Sequence, residues 1–204
     1  MLCRPMIDIH DGEIVHSMDH FVLDLKTPEN TNAYFTIYSL GMMRDVGTGL
    51  VALLRIETAD GVIDGCYGET IGLAARMQRR LRTKGAKEDG TPVAGMASTP
   101  IRATIRRAPT SQQGEHWTVE TAEHTVVASW SHPEPAFWLS APAPEFHATH
   151  DYSTAMISYR EAELVVDGKT VDGSPFPHEV WEQRLQRPFS SCHAALSEIA
   201  IEAS

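Results

Sequence analysis

The chain has 204 residues, 42% of them hydrophobic and 22% charged, with a formal net charge of -10 at neutral pH. That length suits one large domain, which buries roughly 70% of its unfolded surface and needs no disulfide or metal to stay folded. The charge argues against a general nucleic-acid binder, which needs many cationic contacts on one surface. No run approaches the ~20 apolar residues of a membrane-spanning helix.

The N-terminal "MLCRPMIDIHDGE" has no apolar segment between a basic start and a small-residue cleavage site, so no signal peptide is expected and the chain reads as cytoplasmic. Cys3, Cys66 and Cys192 are odd in number and widely spaced, which fits reduced core thiols better than a secreted framework. The stretch "IDIHDGEIVHSMDH" (7 to 20) offers Asp8, His10, Asp11, Glu13, His16, Asp19 and His20 as first-row metal ligands. Their irregular spacing reads more readily as a solvated acidic arm. No metal is predicted there, nor at His147 and His150, which an extended chain points to opposite faces.

Period-two alternation then dominates. "HFVLDL", "AYFTIYSL", "GLVALLRIET", "TPIRATIRR", "HWTVETA", "HTVVASWS", "AFWLSA" and "STAMISYREAELVV" are rich in β-branched or aromatic residues and bounded by turn formers. "ADGV" (59 to 62) and "VDGK" (166 to 169) carry the Asp-Gly hairpin signal. So many strands with such turns predict an all-β, predominantly antiparallel sandwich or barrel. One segment departs: "TIGLAARMQRRLRTKG" (70 to 85) has apolar residues at helical spacing and a terminal Gly85. It predicts one amphipathic helix whose polar face carries Arg76, Arg79, Arg80 and Arg82, either solvated or docking an acidic carrier protein. The polar, glycine-rich stretch that follows, 83 to 95, reads as a mobile loop, and the C-terminal "SSCHAALSEIAIEA" as a last strand.

No GxSxG elbow, HExxH, phosphate loop or GxGxxG occurs, so a nucleophilic triad and a nucleotide cofactor have no visible cradle and no cofactor is predicted. Cys192 and His193, being neighbours on a strand, point apart and make no dyad. Several strand faces instead mix apolar with aromatic and ionisable residues. Tyr34 and Tyr38 share one face; Arg55 and Glu57 share another with Val51 and Leu53; His124, Trp130 and His132 run with Val126 and Ala128; Tyr159, Glu161 and Glu163 run with Ile157. Such a mixture suits a barrel lumen that holds an apolar ligand by a few polar groups. The alternative is that one of each pair of faces meets solvent.

The segment "YSTAMISYREAELVVDGKTVDGSPFPHEVWEQRL" (152 to 185) resembles lipocalin-like (calycin) proteins related to carotenoid 1,2-hydratase, in which a long strand and a Val-Asp-Gly-Lys turn precede an Asp-His-Glu-Trp-Gly motif. "NTNAYFTIYSLGMMRDVGTGLVALLRIET" (30 to 58) resembles that group's first hairpin. Here Pro177 stands at the aspartate position and Val180 separates Glu179 from Trp181, so only His178 and Glu179 match in place. The resemblance, which extends to lipocalin-like Diels-Alderases, implies an antiparallel lipocalin-like β-barrel with a pocket for a polyketide or terpenoid. The resulting expectation is a cofactor-independent cyclase, isomerase or hydratase. In it His178 is general acid or base, Glu179 its partner, Tyr34 and Tyr38 are donors to a carbonyl, and Trp130, Trp138, Tyr159, Trp181, Arg55 and Glu57 line the substrate. A non-catalytic binder of the same ligands needs the same lining, a docking module would use the basic helix, and exposed barrel faces could pair two copies.

Overall fold

A computed structural model describes residues 13 to 84, 99 to 108, 114 to 142 and 150 to 202. Twelve strands form one sheet: β1 (Glu13–Lys26), β2 (Thr31–Met43), β3 (Gly49–Thr58), β4 (Gly61–Gly68), β5 (Ile101–Arg102), β6 (Thr104–Arg107), β7 (Gly114–Glu120), β8 (Thr125–Pro133), β9 (Phe137–Pro142), β10 (His150–Val166), β11 (Lys169–Thr170) and β12 (Cys192–Glu202). The hydrogen-bonded order is β5-β4-β3-β2-β1-β12-β10-β8-β7-β6, with β9 and β11 paired to β10. The two ends of that path, β5 and β6, are separated in the chain only by Ala103. The sheet therefore curls into a nearly closed ten-stranded barrel, with β6 lying against β3. The expected antiparallel pairing has one exception among the described strands: β4 and β5 pair in parallel.

Alternation explains the inner face. Phe21, Leu23 and Leu25 of β1 meet Ile37, Phe35 and Ala33 of β2 in register, and all six are buried in the central cluster. Ala52, Leu54 and Ile56 of β3, Trp117 and Val119 of β7, and Val126, Ala128 and Trp130 of β8 continue it around the barrel. The VDGK turn closes β10 onto β11 with Asp167 at φ 50 and Gly168 at φ 78, the paired left-handed geometry of a type I′ hairpin. At ADGV the chain turns one residue earlier, over Ala59 and Asp60, and Gly61 opens β4 at φ 134.

The helix α1 (Ile71–Lys84) follows β4. Thr70 caps it, its Oγ1 accepting the Leu73 N–H at 3.1 Å. Its apolar stripe, Leu73, Ala74 and Met77, covers Val51, Leu53 and Cys66 on the outside of β3 and β4. Two of its arginines brace the β2–β3 turn: Arg76 Nε donates to the Val46 carbonyl at 2.6 Å, and Arg80 pairs with Asp45. A second, unpredicted helix, α2 (Glu179–Leu185), covers the outside of β10 and β12 through Trp181 and Leu185, which pack with Phe189, Met156 and Ala195. The C-terminal strand reading agrees with β12. The loop expected at 83 to 95 lies almost wholly outside the described residues.

Candidate functional site inside one end of the barrel

Register decides which side chains meet. Arg107 of β6 lies opposite Trp117 of β7, and Glu115, two residues before Trp117 on the same face, lies opposite Trp130 of β8. Arg107 therefore reaches Glu115 diagonally and is held bidentately, Nε to Oε2 at 2.8 Å and Nη2 to Oε1 at 2.7 Å. Its guanidinium lies 5.1 Å from the Phe21 ring centre and 5.7 Å from that of Trp117, so the charge is stacked on two aromatic faces as well as paired. Glu115 is only 6% exposed.

Three aromatic residues complete this end. Trp130 spans the two intervening strands β12 and β10 on the inner side, and its Nε1 donates to the Val22 carbonyl of β1 at 2.7 Å. Trp117 is 2% exposed, and its Nε1 is buried with no hydrogen-bond partner among the described residues. Tyr159 belongs to the same interior cluster. Burial first, then the charge of Glu115, pushes its phenol well above the usual tyrosine range, with Arg107 opposing. It stays protonated and remains a donor. Around these groups Leu50, Ile157 and Leu196 are only half buried while packing on the interior cluster. The hairpin end is instead filled by Leu25, Phe35, Ile56, Val119 and Leu164, each 1% exposed or less.

Of the predicted lining residues, Trp130 and Tyr159 lie on the inner face. The others do not share it. Tyr34 and Tyr38 project outward and pack beside the α1 cluster, because their neighbours Phe35 and Ile37 take the interior. Arg55 is also outward and pairs with Asp64 of β4 at 3.6 Å. Glu57, one strand turn further along that face, accepts from Asn30 Nδ2 at 3.2 Å. Trp138 is 48% exposed on β9. His178 precedes α2 and Glu179 opens it, exposed, so the expectation that these residues and Tyr34 and Tyr38 enclose one lumen is corrected. Glu161 and Glu163 are exposed, although they share strand parity with the buried Tyr159.

His178 and Tyr38 are nonetheless linked along a strip of the outer face between α1 and α2. His20 lies opposite Tyr38 and stacks on it, with ring centres 4.4 Å apart and planes 11° apart. His193, diagonal to His20 across the β1–β12 pair, comes within 6.4 Å of the His178 ring and 4.8 Å of Phe189. Its Nδ1–H donates to the Ser190 carbonyl at 3.2 Å. Burial, then the neighbouring His20 and His178, drives the His193 imidazole down to about 3. Burial also lowers that of His20, against the pull of Glu198, which itself accepts from His16 at 3.0 Å. Cys192 faces the interior and His193 the exterior, as neighbours on a strand must. Asp8, His10, Asp11 and His147 lie outside the described residues, and among the described ones no three His, Cys, Asp or Glu side chains form a group that could hold a metal ion.

Arg107 and Glu115 escaped the sequence reading. The available signal was parity: in "GEHWTVE" the carboxylate of Glu115 alternates in phase with Trp117 and Val119, both core residues. No family model, curated protein or solved structure matches this chain.

Proposed function

We propose that this protein is a lipocalin-like binder of an apolar small molecule of polyketide or terpenoid type. The ligand enters the end of the barrel bordered by Leu50, Ile157 and Leu196 and places its polar end among Trp117, Tyr159 and the Arg107–Glu115 pair. The observation that carries this reading is the Trp117 indole N–H, buried and without a hydrogen-bond partner among the described residues. Such a group costs about 1 to 3 kcal/mol. A ligand acceptor recovers that cost, so the site favours an apolar guest with one polar end over a purely apolar one.

Binding is preferred to catalysis on chemical grounds. Cyclisation, isomerisation or hydration of a buried chain needs a proton-transfer group against it. His178, Tyr34 and Tyr38 lie outside the barrel, and Tyr159, with its raised pKa, suits hydrogen-bond donation better than base catalysis near neutral pH. Docking of a carrier protein through α1 has less support, since Arg76 and Arg80 already brace the β2–β3 turn.

The test is to incubate the purified protein with an organic extract, isolate the complex by native mass spectrometry, and compare the released compound with the input. The expected result is an apolar compound retained and released unchanged, with retention weakened in Trp117→Phe. Release of a compound of altered mass or altered chromatographic position would establish catalysis instead. Failure to retain any compound would remove the binder reading.

A further inference from the structure

Resting on the binder reading, we infer that the ligand's polar end is an uncharged acceptor of the ketone, aldehyde or ester class, selected against carboxylates and amines. The inference depends on how the polar groups inside the barrel are already committed. Arg107 is the obvious anion receptor, but its Nε–Nη2 edge is taken by a two-point hydrogen bond to Glu115, the rings of Phe21 and Trp117 stack on it, and the rest of the side chain, 35% exposed, meets water at the rim. The pair is neutral as a unit. A second carboxylate arriving here would face the 6% exposed Glu115 carboxylate and the field of Asp19, which also acts on Arg107. Like charges in a desolvated site repel strongly.

An ammonium group fails for a different reason. The Trp117 indole N–H, 2% exposed and without a partner among the described residues, can only donate, and an ammonium has no lone pair with which to accept it. A carbonyl oxygen carries two lone pairs and no charge, so it matches what Trp117 and Tyr159 offer and leaves the Arg107–Glu115 pair undisturbed. Its alkyl remainder then lies against the half-buried Leu50, Ile157 and Leu196.

The experiment titrates the full chain, with its Trp indoles labelled with nitrogen-15, against four probes of equal chain length: a long-chain methyl ketone, the alkane, the carboxylic acid and the amine. Affinity is read by calorimetry and the Trp117 Nε1–H signal by NMR. The ketone should bind at least about tenfold tighter than each of the other three, as one recovered hydrogen bond allows, and only the ketone should move the Trp117 indole signal downfield. Trp117→Phe should bring the ketone down to the level of the alkane. Glu115→Gln, which leaves the Arg107 charge uncompensated, should shift preference toward the acid by tenfold or more. A wild-type protein that takes the acid or the amine most tightly overturns this inference and leaves the binder reading standing. So does equal binding of ketone and alkane with no movement of the indole signal. Failure of all four probes to bind removes the binder reading and this inference with it.

Discussion

His193 sets a measurable dependence of stability on acid. Its imidazole is 4% exposed, donates Nδ1–H to the Ser190 carbonyl and is held at about 3, against an ordinary value of 6.5, chiefly by burial. A histidine depressed in this way is neutral in the fold, so below 6.5 the unfolded chain takes the proton first. Stability from this residue is intact above pH 6.5, falls as the pH falls, and is fully lost only below about 3. At about 1.4 kcal/mol per pH unit the whole loss is about 5 kcal/mol. Between pH 7 and pH 5 it is about 2 kcal/mol, set by the unfolded imidazole alone because the folded one is still neutral at pH 5. The assay is urea unfolding of the wild type and of His193→Gln at both pH values. Groups common to the two proteins cancel in the difference, and the wild type should lose about 2 kcal/mol more than the variant. Equal losses, within a few tenths of a kcal/mol, would refute the assignment of a buried neutral imidazole.

Three further outcomes are expected. Cys66 and Cys192, both buried and pushed up to about 12 by burial, should resist a thiol-specific reagent at pH 8 in the native protein and react after denaturation, as peptide mapping would reveal. Gly114→Ala places a Cβ 1.9 Å from the Trp130 carbonyl, so the β7–β8 ladder must shift; a loss of about 1 to 3 kcal/mol in urea unfolding is expected, and an unchanged midpoint would count against the close approach. Trp130→Phe removes the donor to the Val22 carbonyl and should cost about 1 to 2 kcal/mol, with faster amide exchange on β1 as a second readout.

Strand alternation was legible because each strand sorts its side chains into two faces, and Phe35 and Ile37 separate cleanly from Tyr34 and Tyr38. What the pattern lacked was a sign for inside. On β3 the outward residues Val51 and Leu53 are as apolar as the inward Ala52 and Leu54, because α1 covers them. Tyrosines beside such a face look like a lumen when they are the flank of a second, smaller core. The helix α2 was hidden for another reason: it spans only seven residues, follows Pro177 and has no buried residue of its own, so its apolar signal reduces to Trp181 and Leu185. The ion pair of Arg107 and Glu115 joins two strands whose pairing no local pattern states. Trp130 and Tyr159 were readable because their parity with Ala128 and Ile157 holds in the fold.

The bond from the Trp130 indole to the Val22 carbonyl ties β8 to β1 across the two strands that separate them. A side chain of one wall is thereby anchored to the backbone of another, so the curvature of the sheet is held by a cross-brace as well as by its ladders of neighbouring strands.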